Sequence, residues 1–146
     1  SGSPDVYAFR SSMNNGVVLG WNLYSPDFPA ERARRLIAEY KRVRPLFHGD
    51  YYPLTPYSIS DDVWIAYQFH REDLRQGMVL AFRRPQSSTS TIHLRLKGLS
   101  PTKRYELHFE GTDTKAVFTG EHLDKGMEVT IADAPGSLLI TYRERP

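Results

Sequence analysis

The hydrophobic period of the sequence changes near residue 60, and this change constrains the fold more than any other feature. From residue 62 onward, apolar side chains recur at every second position, the spacing that places them on one face of a β-strand. Such segments follow one another at intervals of about ten residues, separated by polar turns. They are centred on residues 63–69, 78–83, 92–97, 105–110, 115–119, 127–131 and 138–142. The pattern predicts an antiparallel β-sandwich of about seven or eight strands.

A helical period precedes these strands. Between Ala30 and Val43, apolar residues recur at spacings of three and four, and Pro45 ends the pattern. This predicts a mainly β chain with one N-terminal α-helix, residues 28–44, docked beside the sandwich. The predicted division is 1–60, with a buried strand at 16–21, the helix and a Tyr/Pro-rich loop at 48–57, followed by a sandwich over 61–146. We expect the tyrosines of the loop to bury their rings between helix and sandwich.

Composition excludes several classes of function. The 146 residues include 19 Lys and Arg against 17 Asp and Glu, a balance too even to predict a nucleic-acid partner. The absence of cysteine excludes disulfides and thiolate metal sites. The sequence has no signal-peptide pattern and no apolar run approaching the roughly 20 residues that span a bilayer, so we expect a soluble chain with no membrane partner. None of this assigns a compartment.

Candidate catalytic and metal-binding groups do not converge in the sequence. The five histidines have no ligand spacing, although His93 and His108 lie at outward strand positions that could be cross-strand neighbours. Asp61 and Asp62 suit a turn before a strand, and Asp50 suits a cap in the loop. No nucleophile elbow or phosphate-binding loop is present. We therefore predict no catalytic residue, no metal site and no cofactor.

Aromatic residues leave two interpretations open. Their flat rings could stack on sugars, as in a carbohydrate-binding module, or they could simply pack in the core. Trp64 favours packing, because it lies inside an alternating strand. The residues concerned are Trp21, Trp64, Tyr51, Tyr52 and Tyr57.

Several blocks, in order, resemble the C-terminal part of α-galactosidase-like enzymes of glycoside hydrolase family 36, the melibiase group of clan D. The middle blocks are GDYYPLTPYS at 49–58, WIAYQF at 64–69 and GMVLAFRR at 77–84. Upstream, YAFRSSM at 7–13, GWN at 20–22 and the helix resemble the end of the catalytic barrel. Downstream, GL at 98–99, GEHL at 120–123, GM at 126–127 and LITY at 139–142 resemble the close of the following sandwich.

The resemblance implies a non-catalytic region of a larger retaining enzyme. Relatives of this kind carry their nucleophile and acid/base aspartates on earlier barrel strands, and a complete barrel needs about 250 residues, so we expect this chain alone to be inactive. The implied partner is the catalytic barrel of the parent chain, which the sandwich would pack against and stabilise. Trp21 and Asn22 are then expected to border the substrate pocket, although many relatives carry Asp at the position of Asn22. The alternative is a carbohydrate-binding module, with Trp64 as a further stacking residue.

One consequence concerns the apolar stripe of the helix. In a parent enzyme Leu36, Ile37 and Tyr40 would face barrel strands. In this chain the stripe must cover the sandwich, contact a second molecule by self-association, or remain exposed. Complete burial by the sandwich alone would count against the interpretation as part of a larger enzyme.

Overall fold

The computed structural model describes residues 5–13, 20–112 and 114–146. These residues form eight strands and three α-helices, and a short 3₁₀-helix, Arg44–His48, follows the longest helix among them. The helices are α1 (Val6–Ser12), α2 (Ala30–Val43) and α3 (Gly120–Lys125). The strands are β1 (Asp50–Pro53), β2 (Trp64–Arg71), β3 (Gln76–Arg83), β4 (Thr91–Leu94), β5 (Arg104–Phe109), β6 (Thr114–Thr119), β7 (Met127–Thr130) and β8 (Gly136–Arg145).

The strands form two antiparallel sheets of unequal size. The large sheet has six strands in the order β1-β2-β3-β8-β5-β6, and β4 and β7 form the small sheet. β8 lies at the centre of the large sheet, where it pairs with β3 on one side and with β5 on the other. The mainly β, antiparallel class predicted from the alternating segments is thus confirmed, and every predicted strand of residues 61–146 is present to within a few residues.

Both faces of the large sheet are buried, because each carries its own apolar cluster. The first core cluster lies between the two sheets and includes Val79, Leu107 and Ile140, together with Leu123 from α3. Strand β3 supplies both faces, since its successive residues point in opposite directions. Its alternate residues Met78, Leu80 and Phe82 belong to the second core cluster, which also contains residues of α1 and α2.

Helix α2 covers the sheet with the stripe that the sequence predicts. Leu36 is buried in the second core cluster, and Tyr40 packs edge-on against Phe9 of α1 with ring centroids 6.3 Å apart. Ile37 is half-buried. Leu36 and Tyr40 are therefore covered by the sheet and α1 together, and not by the sandwich alone.

Three elements differ from the sequence-based expectations. Helix α1 was not expected; Asp5 caps it by accepting a hydrogen bond of 2.7 Å from the backbone N–H of Ala8. Helix α3 replaces a predicted turn, because Thr119 caps its first turn and Leu123 buries its side chain completely. The predicted Tyr/Pro-rich loop contains the edge strand β1, which a search for alternation misses because both neighbours of Tyr52 are exposed.

The predicted strand at 16–21 falls largely on residues 14–19, which lie outside the described part of the chain. Its two described residues, Gly20 and Trp21, have no strand structure. Among the described residues, no helix combines the length and apolar character needed to cross a membrane.

Candidate functional site

On the helix-facing side of the large sheet, ion pairs and hydrogen bonds join the helices to one another and to the strands. Its centre is an ion pair between α1 and α2, in which the Arg10 guanidinium donates to both oxygens of the Glu39 carboxylate, at 2.6 and 3.0 Å. Both side chains are less than a tenth exposed. A bidentate pair of this kind is held by directional, charge-assisted hydrogen bonds. Because Arg10 is charged and buried, it depends on this partner.

Arg10 also connects the helices to the strands. Its Nη1 donates to the Ser137 hydroxyl on β8 at 3.3 Å, and its Nη2 donates to the backbone carbonyl of Glu110, just after β5, at 3.4 Å. One side chain therefore joins α1, α2, β8 and the end of β5. Its position fixes how the helices lie on the sheet.

A polar cleft opens beside this contact, between the C-terminal end of α2 and strands β5, β6 and β8. Its volume is about 370 Å³. The buried carboxylate at its edge, Glu110, accepts hydrogen bonds from Arg42 of α2 at 2.5 Å and from Thr141 of β8 at 3.1 Å. The His108 ring lies 3.2 Å from the same carboxylate. Glu110 is thus a second polar connection between α2 and the sheet.

Glycoside hydrolysis offers a comparison for the carboxylates of the cleft, and both of them are engaged by neighbouring side chains. That reaction requires one carboxyl group as nucleophile or base and a second as acid, both facing the sugar. Glu110 is buried, with a donor on each oxygen. Glu106 is paired with Arg143 at 3.4 Å and lies 4.0 Å from Arg145. Glu110 therefore attaches α2 to the sheet, whereas Glu106 pairs with cations of β8.

A second polar network is enclosed at the first core cluster. The Gln68 amide, completely buried, donates to the Tyr142 hydroxyl and to the backbone carbonyl of Lys97, each at 2.8 Å, and accepts from the Lys97 N–H at 2.8 Å. The His70 ring lies 2.9 Å from the same hydroxyl and 2.8 Å from the Glu72 carboxylate. Every donor has an acceptor if His70 carries its proton on Nε2, which faces Glu72.

This network connects the large sheet to the segment between β4 and β5, so its role is structural. Burial raises the pKa of Tyr142 well above its usual range, and the hydrogen bond from Gln68 opposes the shift only in part. The hydroxyl is therefore neutral at physiological pH, as its two hydrogen-bonding partners require. Gly77 packs directly against this ring: a Cβ at that position would lie 2.2 Å from the Tyr142 oxygen.

The structure places Trp64 in a different core cluster from Trp21, which is followed directly by Asn22. Trp64 is 5 % exposed in the first core cluster, where its indole N–H donates to the Thr89 carbonyl at 2.7 Å. That position agrees with packing and leaves no ring face open to a sugar. Trp21 is half-buried between Phe9 and Phe28, each with a ring-centroid distance of 6.0 Å. Asn22 begins an exposed turn, so a pocket-border role for Trp21 and Asn22 stays a prediction.

Two further expectations about side chains are wrong. His93 and His108 are not cross-strand neighbours: His93 pairs with Glu128 in the small sheet, and His108 lies opposite Lys115 in the large one. Tyr57 was expected to bury its ring, yet it is 93 % exposed. Within the described ranges, no group of three or more potential ligands among His, Asp and Glu could hold a metal ion.

The Arg10–Glu39 pair was not identified from the sequence, although one signal was available. Glu39 follows Leu36 by three positions and precedes Val43 by four, so it lies on the apolar side of the helix. A carboxylate on that side requires a buried cation. The sequence does not reveal which cation, because Arg10 is 29 residues away.

The fold and these contacts can be compared with known proteins. The profile of the glycosyl hydrolase family 36 C-terminal domain matches residues 64–136, which is half of the chain. A search of curated proteins found no match. The match covers strands β2 to β7 and reaches the first residue of β8, so β1 and the rest of β8 lie outside it.

Two solved structures share the fold at low sequence identity. The galactosidase domain of the α-galactosidase–sucrose kinase AgaSK superposes with a TM-score of 0.65 and 21 % identity over 87 % of this chain. A variant of the family 36 α-galactosidase AgaA from Geobacillus stearothermophilus, in complex with stachyose, gives 0.70 and 22 % over 94 %. The matched region spans only 17 % and 19 % of those two chains. The family match over half of the sequence shows that this chain belongs to the glycosyl hydrolase family 36 C-terminal domain family.

Proposed function

We propose that this chain is the non-catalytic C-terminal β-sandwich region of an α-galactosidase-like glycoside hydrolase, and that it packs against and stabilises the catalytic barrel of its parent protein. One observation carries the proposal: α1 and α2, which resemble the end of a barrel, are bound to one face of the large sheet by a continuous apolar cluster. The sandwich would thereby hold the last elements of the barrel in place.

The energetics of this contact support a stabilising role. Met78, Leu80 and Leu139 of the sheet are completely buried in the second core cluster with residues of the two helices. Complete burial of a side chain of this size contributes roughly 1.5–3 kcal/mol. The directional hydrogen bonds of the Arg10–Glu39 pair fix the position of α1 relative to α2, which apolar packing alone specifies less closely.

The proposal includes the division of the chain into a barrel-end segment, residues 1–60, and a sandwich, residues 61–146. Strand β1, within the first segment, pairs with β2 of the second. The two segments would therefore form one unit, with the catalytic aspartates of a retaining mechanism elsewhere in the parent protein. This chain alone would be inactive.

The test uses the parent enzyme with the Leu80→Ala substitution. Leu80 faces the helices, and loss of its side chain costs roughly 2–5 kcal/mol at a fully buried site. We expect α-galactosidase activity to be lost at a lower temperature than in the unmodified enzyme. Leu74→Ala, at a position 42 % exposed, is the matched control and leaves this temperature unchanged. If Leu80→Ala lowers the melting temperature of this chain while the parent retains its activity at the original temperature, the proposal is wrong.

The second candidate is a carbohydrate-binding module. Exposed tyrosines favour it, since Tyr24 and Tyr57 present almost their whole side chains to solvent. Calorimetric titration with galactosides would then give heat that is lost on Tyr24→Ala or Tyr57→Ala substitution. An absence of heat at millimolar ligand would reject this candidate.

A further inference from the structure

The segment between β1 and β2 combines a fixed backbone with exposed apolar side chains. Tyr57 is 93 % exposed and Ile59 is 81 % exposed, although both are large. The Arg84 guanidinium donates to the Ser58 carbonyl at 3.3 Å and to the Asp61 carboxylate at 2.9 Å. A segment held at points on both sides of Ile59 loses little further conformational entropy when a partner binds.

The start of this segment is fixed as well. The Leu54 N–H donates to the Ala66 carbonyl at 2.9 Å, and the Thr55 hydroxyl accepts from the Ala66 N–H at 3.0 Å. These bonds continue the pairing of β1 with β2 beyond the end of the strand. Tyr57 is therefore exposed on a segment whose backbone is anchored by hydrogen bonds, here called the anchored segment.

This segment adjoins the helix-facing side of the sheet. Arg84, whose guanidinium holds Ser58 and Asp61, follows Phe82 of β3 by two positions along the chain. Tyr7 of α1 in turn packs edge-on against Phe82 with ring centroids 5.6 Å apart. The anchored segment thus lies next to α1, the first of the barrel-end helices.

A second exposed aromatic residue lies on the adjoining edge strand. Tyr51 of β1 is 55 % exposed and packs at a tilt against Phe69 and Tyr67 of the second core cluster, with ring centroids 5.4 and 5.9 Å apart. Tyr51 therefore extends the apolar cluster of α1 and α2 to the exposed edge strand of the sheet.

We propose that Tyr51, Tyr57 and Ile59, here called the tyrosine edge, form the docking surface for the catalytic barrel of the parent enzyme. This inference rests on the proposed function and assigns the surface that performs it. Two observations favour the barrel as occupant. Tyr51 contacts Tyr67 and Phe69 of the cluster that also holds the barrel-end helices, and more than four fifths of each structural relative lies outside the region that matches this chain. Exposed aromatics on a pre-organised segment are typical of residues that dominate an interface.

The experiment compares Tyr57→Ser/Ile59→Ser with Val117→Ser, in the parent enzyme and in this chain alone. Val117 is 40 % exposed on β6, at the opposite edge of the sheet. In the parent, we expect the double variant to shorten the half-life of α-galactosidase activity at elevated temperature roughly tenfold, with no change for the control. In this chain alone, both variants keep the original melting temperature, because the substituted side chains are exposed.

Three outcomes would overturn the assignment. The first is an unchanged half-life in the parent double variant while Leu80→Ala still shortens it, which rejects the tyrosine edge but leaves the proposed function intact. The second is an equal loss of melting temperature in this chain alone, which makes the edge a purely internal contact. The third is a dimer of this chain in analytical ultracentrifugation that the double variant converts to a monomer, which makes a second copy the occupant. If Leu80→Ala also has no effect on the parent, the proposed function itself fails.

Discussion

Removal of the Glu39 carboxylate should destabilise this chain far more than removal of an exposed carboxylate from the same helix. Glu39→Ala leaves the Arg10 guanidinium buried and deprives it of two charge-assisted hydrogen bonds of 2.6 and 3.0 Å. Breaking one side of a buried pair typically costs 3–5 kcal/mol, so about 3–5 kcal/mol is the starting range. The remaining bonds to Ser137 and to the Glu110 carbonyl solvate the cation in part and place the expected cost near the lower limit, about 3 kcal/mol.

Urea unfolding at pH 7, followed by circular dichroism, measures this cost. The urea concentration at the midpoint should fall, and the slope of unfolding free energy against urea should stay the same. In thermal unfolding, a loss of about 3 kcal/mol corresponds to a fall of roughly 6–12 °C in melting temperature for a chain of this size. Glu31→Ala is the matched control, since Glu31 forms an exposed pair with Arg34 on the same helix. Its cost should stay within about 0.5 kcal/mol.

A second variant separates the lost charge from lost packing. Arg10→Met combined with Glu39→Leu removes both charges and fills the space with apolar atoms, so it should recover most of the stability that Glu39→Ala loses. The reasoning is refuted if Glu39→Ala costs less than about 1 kcal/mol. It is also refuted if the double variant is as unstable as the single one, because the cost would then not arise from an unpaired charge.

Three other predictions concern the sheet. Gly77→Ala should destabilise the chain in urea by at least roughly 1–3 kcal/mol, because its Cβ would lie 2.2 Å from the Tyr142 oxygen. Gly20→Ala is the control: no atom lies within 4 Å of a Cβ there, so stability should change by less than about 1 kcal/mol. Equal effects of the two substitutions would contradict this prediction. Tyr142→Phe should cost roughly 1–3 kcal/mol by leaving the buried Gln68 amide without one acceptor, and an unchanged urea midpoint would show that the hydroxyl is dispensable. Burial raises the pKa of Tyr67 from 10.0 to about 12. The stability that the neutral phenol contributes is therefore complete below pH 10 and is lost as pH rises towards 12, by at most about 1.4 kcal/mol per pH unit. Urea midpoints at pH 8, 10 and 11 should fall less steeply in Tyr67→Phe than in the unmodified chain, and parallel curves would count against the shift.

The sequence predicts the strands well because their signal is local. Alternation in residues 63–69 and 105–110 follows directly from the pleat, and the same segments form β2 and β5. The helical stripe of α2 is local as well, and the observed helix, Ala30–Val43, lies within the predicted 28–44. Short elements carry too few residues for a period, which is why α3, with six residues, was predicted as a turn.

The candidate site was predicted less well because its parts are distant in sequence. Glu110 binds Arg42, 68 residues away, and the Tyr142 hydroxyl binds Gln68, 74 residues away. Hydrophobic periodicity cannot predict such pairs, because they depend on the order of the strands in the sheet. Exposure of the tyrosine edge was missed for a different reason, since tyrosine occurs both in cores and at interfaces and its type alone does not distinguish them.

The most direct test of the central claim is turnover of p-nitrophenyl α-galactoside by this chain alone, purified and folded as judged by circular dichroism. We expect no hydrolysis above the uncatalysed background, because the catalytic aspartates of the proposed parent enzyme lie outside this chain. Hydrolysis at a rate comparable with that of a complete family 36 α-galactosidase would contradict it.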